Sequence, residues 1–114
     1  MTIHSTLIEK HGKMFPITRM GDLVSIRPKT EDADFWLIRR GAGEEVGRPT
    51  HEYGPDYFGV TVMDPDIDKE EVFFYFHSLF LTSRLSDRAH TSGNGEYYLR
   101  AKDIRDIDFK DGTF

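Results

Sequence analysis

The densest run of apolar positions lies at residues 68–90, DKEEVFFYFHSLFLTSRLSDRAH. Val72, Phe73, Phe76, Leu79 and Phe80 recur at helical spacing and fall within one stripe at about 100° per residue. Asp68 stands where an N-cap belongs, and Glu71, three residues on, completes the spacing of a capping box. Leu81, Leu85 and Ala89 make a second stripe rotated away from the first. A straight helix would have to bury both, so the pattern predicts two helices, about 68–78 and 80–90, with a bend near Ser78.

Elsewhere the periods are shorter. Arg19–Asp22 reads as a turn into a strand carrying Leu23, Val24 and Ile26, ended by Pro28. Phe35–Arg40 is the most strand-like run, Gly41–Gly43 turns the chain, and Glu44–Pro49 returns as a partner strand. Tyr57–Met63 is another strand, closed by Asp64-Pro65-Asp66. Thr91–Gly95 is a turn-former, Tyr97–Leu99 a short apolar segment, Ala101–Asp106 a helical turn and Ile107–Phe109 a last short strand. The class is α+β: short twisted strands in the N-terminal half and around 57–63, a bent helix pair at about 68–90, and a short C-terminal helical turn and strand. Residues 1–14 read as an arm, 15–110 as a single domain and 111–114 as a tail.

Composition narrows this further. A chain of 114 residues with 38% hydrophobic and 13% aromatic content suits one folded domain rather than a disordered segment. No apolar run is long enough for a membrane span, and the start lacks a signal-peptide pattern. With no cysteine there is no disulfide framework, thiol nucleophile or thiolate metal site, and the expected location is cytoplasmic. The net charge of −5 opposes simple phosphate binding, but it is unevenly spread. Residues 52–71 hold seven acids and one base, a local −6, while residues 10–51 and 84–105 are each +2.

Arg39 and Arg40 are adjacent on a strand and therefore point to opposite faces, so at least one faces solvent beside a glycine turn. An arginine fork suits guanine in a major groove; equally, either arginine could pair with Glu44 or Glu45. On the residues alone these readings stand even. Arg27, Lys29, Arg48, Arg100, Lys102 and Arg105 are candidates for phosphate contacts that position rather than specify. Ser92 and Asn94 sit in a loop suited to polar readout, and also suited to being nothing but a turn. The aromatic run Phe73–Phe76 is read as core rather than a base-stacking surface. Asp64, Asp66 and Asp68 have the spacing of the start of a calcium loop, but Lys69 and Tyr75 occupy positions that need Gly and Glu, so no metal site is expected. Pro65-Asp66 with Asp108-x-Lys110 matches the bare letters of metal-dependent nucleases, a pattern short enough to arise by chance.

The order of these segments resembles the target recognition domain of type I restriction–modification specificity subunits. Four stretches carry the likeness: Ile17-Thr18-Arg19-Met20-Gly21-Asp22-Leu23, Ile38 to Gly47, Asp68 to Leu85, and Gly93 to Phe109. They are similar to that family's entry into its first strand, its arginine-bearing strand with glycine turn and returning Gly-x-Val-Gly, its aromatic helix pair, and its Gly/Ser loop with a helical turn. The chain differs in lacking the long helices that separate two recognition domains in full subunits. Lys110-Asp111-Gly112 also stands where a proline is usual. The resemblance implies a non-catalytic module that reads double-stranded DNA, without a cofactor, with methyltransferase and restriction subunits as protein partners and a homodimer as an open alternative. A second expectation, from the acids Glu52, Asp56, Asp64, Asp66 and Glu70, is a protein–protein module docking on a basic partner. A metal-dependent nuclease is a distant third.

Overall fold

The computed structural model describes residues 19–107; the expected arm, tail and final strand residues Asp108 and Phe109 lie outside the described residues. A single helical turn, α1 (Met20–Leu23), leads into β1 (Val24–Pro28). Next come β2 (Phe35–Leu37), β3 (Arg40–Gly41), β4 (Pro49–Thr50) and β5 (Phe58–Val62). The long helix α2 (Lys69–Leu81) follows, then a 3-10 turn (Ser86–Arg88), β6 (His90–Thr91), β7 (Tyr97–Tyr98) and α3 (Ala101–Arg105). The architecture is α+β, as the hydrophobic pattern predicts.

Two antiparallel sheets divide the strands: one in the order β1-β5-β2-β4, the other β3-β7-β6. In the first, Val24 opposes Val62, Ile26 opposes Val60, and Phe35 also lies beside Val60. Alternation therefore sends Val24, Ile26, Phe35, Leu37, Phe58, Val60 and Val62 to one face, all buried. α2 covers that face with Val72, Tyr75, Phe76 and Leu79. Phe35 meets Phe73 and Phe76 edge-on, at centroid distances of 5.3 and 5.5 Å.

On the opposite face the 29–34 loop crosses over Gly59. A Cβ added at Gly59 would lie 2.7 Å from the Thr30 Cβ and 3.1 Å from the Ala33 Cβ, so only glycine lets the loop settle. The loop is then pinned from three sides. The Trp36 indole N–H donates to the Thr30 carbonyl (2.7 Å), the Val62 N–H donates to Asp34 Oδ2 (2.7 Å), and Lys69 of α2 reaches Asp34 Oδ1 (3.1 Å). Strand β1 lies at one edge of the sheet, and α3 packs against it. There the Arg105 guanidinium donates to the Ile26 carbonyl (3.0 Å).

Four local expectations need correction. The run 35–40 is not one strand. It is shared between sheets, because Ile38 turns aside to exchange hydrogen bonds with Arg48 and Gly47 while Arg39 O accepts from the Leu99 N–H. The expected return strand at Glu44–Pro49 is mostly turn, with only Pro49–Thr50 pairing to β2.

The helix does not bend at Ser78. It runs on to Leu81 and ends in a Schellman closure, with Arg84 N–H donating to Leu79 O (2.9 Å) and Ser83 N–H to Phe80 O (3.1 Å). Ser83 takes φ +63°, a conformation more usual for glycine, and the Thr82 hydroxyl donates back to Ser78 O at 3.0 Å. That reversal carries Leu85 into the core, where it is fully buried, against Gly47 at φ +91°. A Cβ on Gly47 would stand 2.8 Å from that of Leu85. No second helix is needed to bury it.

The cap of α2 forms through Asp68 alone, which accepts from the Glu70 N–H (2.9 Å). Among the described residues Glu71 Oε2 is buried without a hydrogen-bond partner. Gly59→Ala is expected to destabilise the domain by about 1–3 kcal/mol, because the loop must lift off the sheet. Thermal unfolding should show a lower midpoint, and an unchanged midpoint would mean that the loop moves freely.

Candidate nucleic-acid interface

The second sheet carries the most exposed polar feature of the described chain. Strands β6 and β7 pair His90 with Tyr98 and Thr91 with Tyr97, and every residue from Thr91 to Tyr97 is exposed. The tip turns through Gly93, Asn94 and Gly95 at φ +83°, +57° and +72°, conformations that glycine and asparagine adopt most readily. Ser92 supports the turn: its N–H (3.0 Å) and its hydroxyl (3.1 Å) both donate to the Glu96 carbonyl. The Ser92 side chain is thus committed to shape, whereas Asn94 stands at the tip.

Strand β3 completes the sheet along β7, with Arg40 opposite Tyr98 and Gly41 opposite Tyr97. This brings the exposed Arg40 to the base of the projecting hairpin, where its guanidinium lies 3.8 Å from Glu96. The acidic partner is therefore Glu96, not Glu44 or Glu45. Tyr97, 39% exposed, rests on Gly43.

The hairpin is tied to α3 through one carboxylate. Asp103 accepts from the Arg100 N–H (2.7 Å) and the Arg100 guanidinium (3.2 Å), and its Oδ2 lies 3.0 Å from His90 Nε2. His90 in turn stacks on Tyr98 at 5.2 Å, and Arg88 donates to the Asp103 carbonyl (3.4 Å). Burial alone would raise the Asp103 carboxyl. The hydrogen bonds from Arg100 and His90 outweigh it and hold the group below its ordinary value. Lys102 hydrogen-bonds Asp106 (2.8 Å) and holds its exposed carboxyl low as well, with Arg19 3.7 Å away.

The remaining sequence candidates are spread over the molecule. Arg39 lies half-buried, its guanidinium 5.2 Å over the Phe58 ring. Arg105 is held at the β1 edge. Arg27 and Lys29 are exposed at the far end of β1, and Arg48 is exposed beside the 43–47 turn. Of the sequence candidates, Arg40, Ser92 and Asn94 thus lie on the second sheet and its hairpin, and Arg100 is tied to the base of that hairpin through Asp103 and His90, whereas Lys102 of α3 is engaged with Asp106. Nothing in the sequence pairs His90 with Asp103 thirteen residues later; only the Arg100–Asp103 spacing could have pointed there.

The acidic residues sit elsewhere, in the β4–β5 loop, in the β5–α2 connection and at the start of α2. Glu52, Asp56, Asp66 and Glu70 are exposed, Glu70 pairs with His51 (3.2 Å), and Asp64 accepts from the Asp66 N–H (2.9 Å). Of the nuclease letters, Asp66 is described, while Asp108 and Lys110 lie outside the described residues. Among the described residues no group of three His, Cys, Asp or Glu side chains could hold a metal ion, and no helix is long and apolar enough to cross a membrane. Comparison with family models, curated proteins and solved structures finds no match.

Because the Asp103 carboxyl is depressed in the folded state, its contribution is complete above the unfolded value of about 3.9 and is lost as pH falls through the folded one. Asp103→Asn is expected to cost about 1–3 kcal/mol at pH 7. That deficit relative to the parent chain should shrink below about pH 4. Denaturant titrations at pH 7 and pH 3 check this, and a deficit that persists unchanged at pH 3 would deny the carboxylate its role.

Proposed function

We propose that the chain is a cytoplasmic, non-catalytic module that binds double-stranded DNA, with the β6–β7 hairpin as its reading element. One observation carries the reading: an exposed Gly-Asn-Gly tip on a hairpin whose base is tied to α3 through Asp103, with Arg40 and Arg100 beside that base. A rigid base with a narrow polar tip suits entry into a groove, and the flanking cations suit phosphates on either side. Arg40, loosely paired with Glu96, and Asn94 are then the base-reading side chains, and Arg100 and Lys102 the positioning ones. The likeness of the ordered segments to specificity-subunit recognition domains supports the same ligand. The acidic loop and α2 start belong to the other sheet and its helix, so the net charge of −5 does not fall on this hairpin.

Fluorescence anisotropy against a mixed duplex pool, across a salt series, tests the reading. Binding should weaken steeply with salt, and Lys102→Ala should reduce the salt slope by about one. Arg40→Ala and Asn94→Ala should each cost about 1–3 kcal/mol on a selected site. Flat anisotropy at low salt would sink the proposal.

A second reading, docking of the acidic region on a basic protein, is favoured by exposed Tyr53 (42%) and Met63 (52%) within that same acidic stretch. Retention of a partner that survives the combined Glu52→Lys, Asp56→Lys and Asp66→Lys change would rule it out.

A further inference from the structure

The tip of the β6–β7 hairpin carries chemistry that binding does not use. Asn94 is the only side-chain amide in the sequence, which contains no glutamine and no other asparagine. Gly95 follows it, and both are exposed at the end of the projecting turn. No neighbour shields the bond between them: a Cβ placed on Gly93 or on Gly95 would meet nothing within 4 Å. Among the described residues neither the Asn94 amide nor the Gly95 N–H takes part in a hydrogen bond. The bonds that close the turn lie below them, from Ser92 N–H to Glu96 O (3.0 Å) and from Glu96 N–H to Gly93 O (3.1 Å). Asn94 rests at φ +57°, and the glycines on both sides leave its backbone free to rotate away from there.

We infer that Asn94-Gly95 is a modification site at which the chain acts on itself, deamidating Asn94 to aspartate and isoaspartate without an enzyme. The Gly95 nitrogen, on losing its proton, attacks Asn94 Cγ. The new N–Cγ bond closes a succinimide ring, the Cγ–Nδ2 bond breaks, and ammonia leaves with the proton. Water then opens the ring at one of its two carbonyls. Opening at Cγ restores the ordinary main chain with aspartate at position 94. Opening at the main-chain carbonyl routes the chain through the side chain and gives isoaspartate. Water is the only co-reactant, and nothing is oxidised or reduced. The attacking nitrogen must approach Cγ closely, and glycine at 95 has no Cβ to obstruct that approach. Either product adds a negative charge to the tip, and isoaspartate also puts an extra carbon into the turn closed by Ser92 and Glu96. The consequence for DNA rests on the function proposed above: an acceptor-only carboxylate replaces an amide at the reading position and repels phosphate, so modification ends binding.

Intact-mass spectrometry on the full chain, held for days at neutral and at mildly alkaline pH, reads the chemistry directly. The mass should rise by the exchange of NH for O, once only, because the sequence has no other amide to lose. The rise should be faster at alkaline pH, where the Gly95 nitrogen gives up its proton more readily. The tryptic peptide of residues 89–100 should then resolve into two products of equal mass, one with aspartate and one with isoaspartate. Gly95→Ala should slow the rise at least about ten-fold while leaving the circular dichroism spectrum unchanged. A mass that stays constant while the denaturant-unfolded chain gains it overturns the inference, because the fold then protects the tip. A Gly95→Ala chain that reacts as fast as the parent overturns it as well. Against the duplex pool, the converted chain and Asn94→Asp should both bind at least about ten-fold more weakly than the fresh chain. Equal binding overturns the consequence for DNA. A fresh chain that binds no duplex overturns the DNA reading itself, and the mass rise still decides the chemistry at Asn94.

Discussion

The contact of Phe35 with Phe73 and Phe76 holds the molecule together. It is where the only long helix of the described chain meets the middle of the four-stranded sheet, and each ring meets the next edge-on rather than sliding past it. Much else adjusts to that seating. The β5–α2 connection is short, so the helix must start close to the end of β5. Asp34 secures that junction by accepting from Val62 and pairing with Lys69. At the far end, the Schellman closure returns the chain at once, because Leu85 must reach the same core that Leu79 has just left.

The second sheet depends on the first only indirectly. Its outer strand, β3, is the continuation of β2, and the crossing at Ile38–Arg39 is what lets one run of sequence serve two sheets. Asp103 does for the hairpin what Phe35 does for the helix: it makes a local element part of a fixed frame. A carboxylate that accepts from a backbone N–H and a guanidinium, beside an imidazole, leaves the hairpin base little freedom, whereas the tip keeps only its own turn bonds.

Charge is partitioned in the same way. The acids that dominate the net charge work locally, as caps and turn formers at Asp64 and Asp68 or as partners of His51 and Lys69. The cations near α3 are arranged around two carboxylates, Asp103 and Asp106, which they outnumber. A single figure for the whole chain hides this separation, and surface properties follow the local arrangement.

What the sequence determined by itself was the set of elements with a strong local signal. The α2 stripe, the Asp68 cap, the β1 and β5 strands and the turn at Gly93–Gly95 all follow from periodicity, capping chemistry or a demand for left-handed backbone. Each of these depends on residues within a few positions of one another. Tertiary structure alone decided where α2 ends, that Phe35–Arg40 divides between sheets, and that Arg105 and Arg39 are held by the fold while Arg40 stays exposed. It alone joined His90 to Asp103. The reason is physical: a helix end without glycine, a shared strand and an ion pair between distant residues are settled by competition for one core and one sheet edge, which neighbouring residues in sequence do not encode.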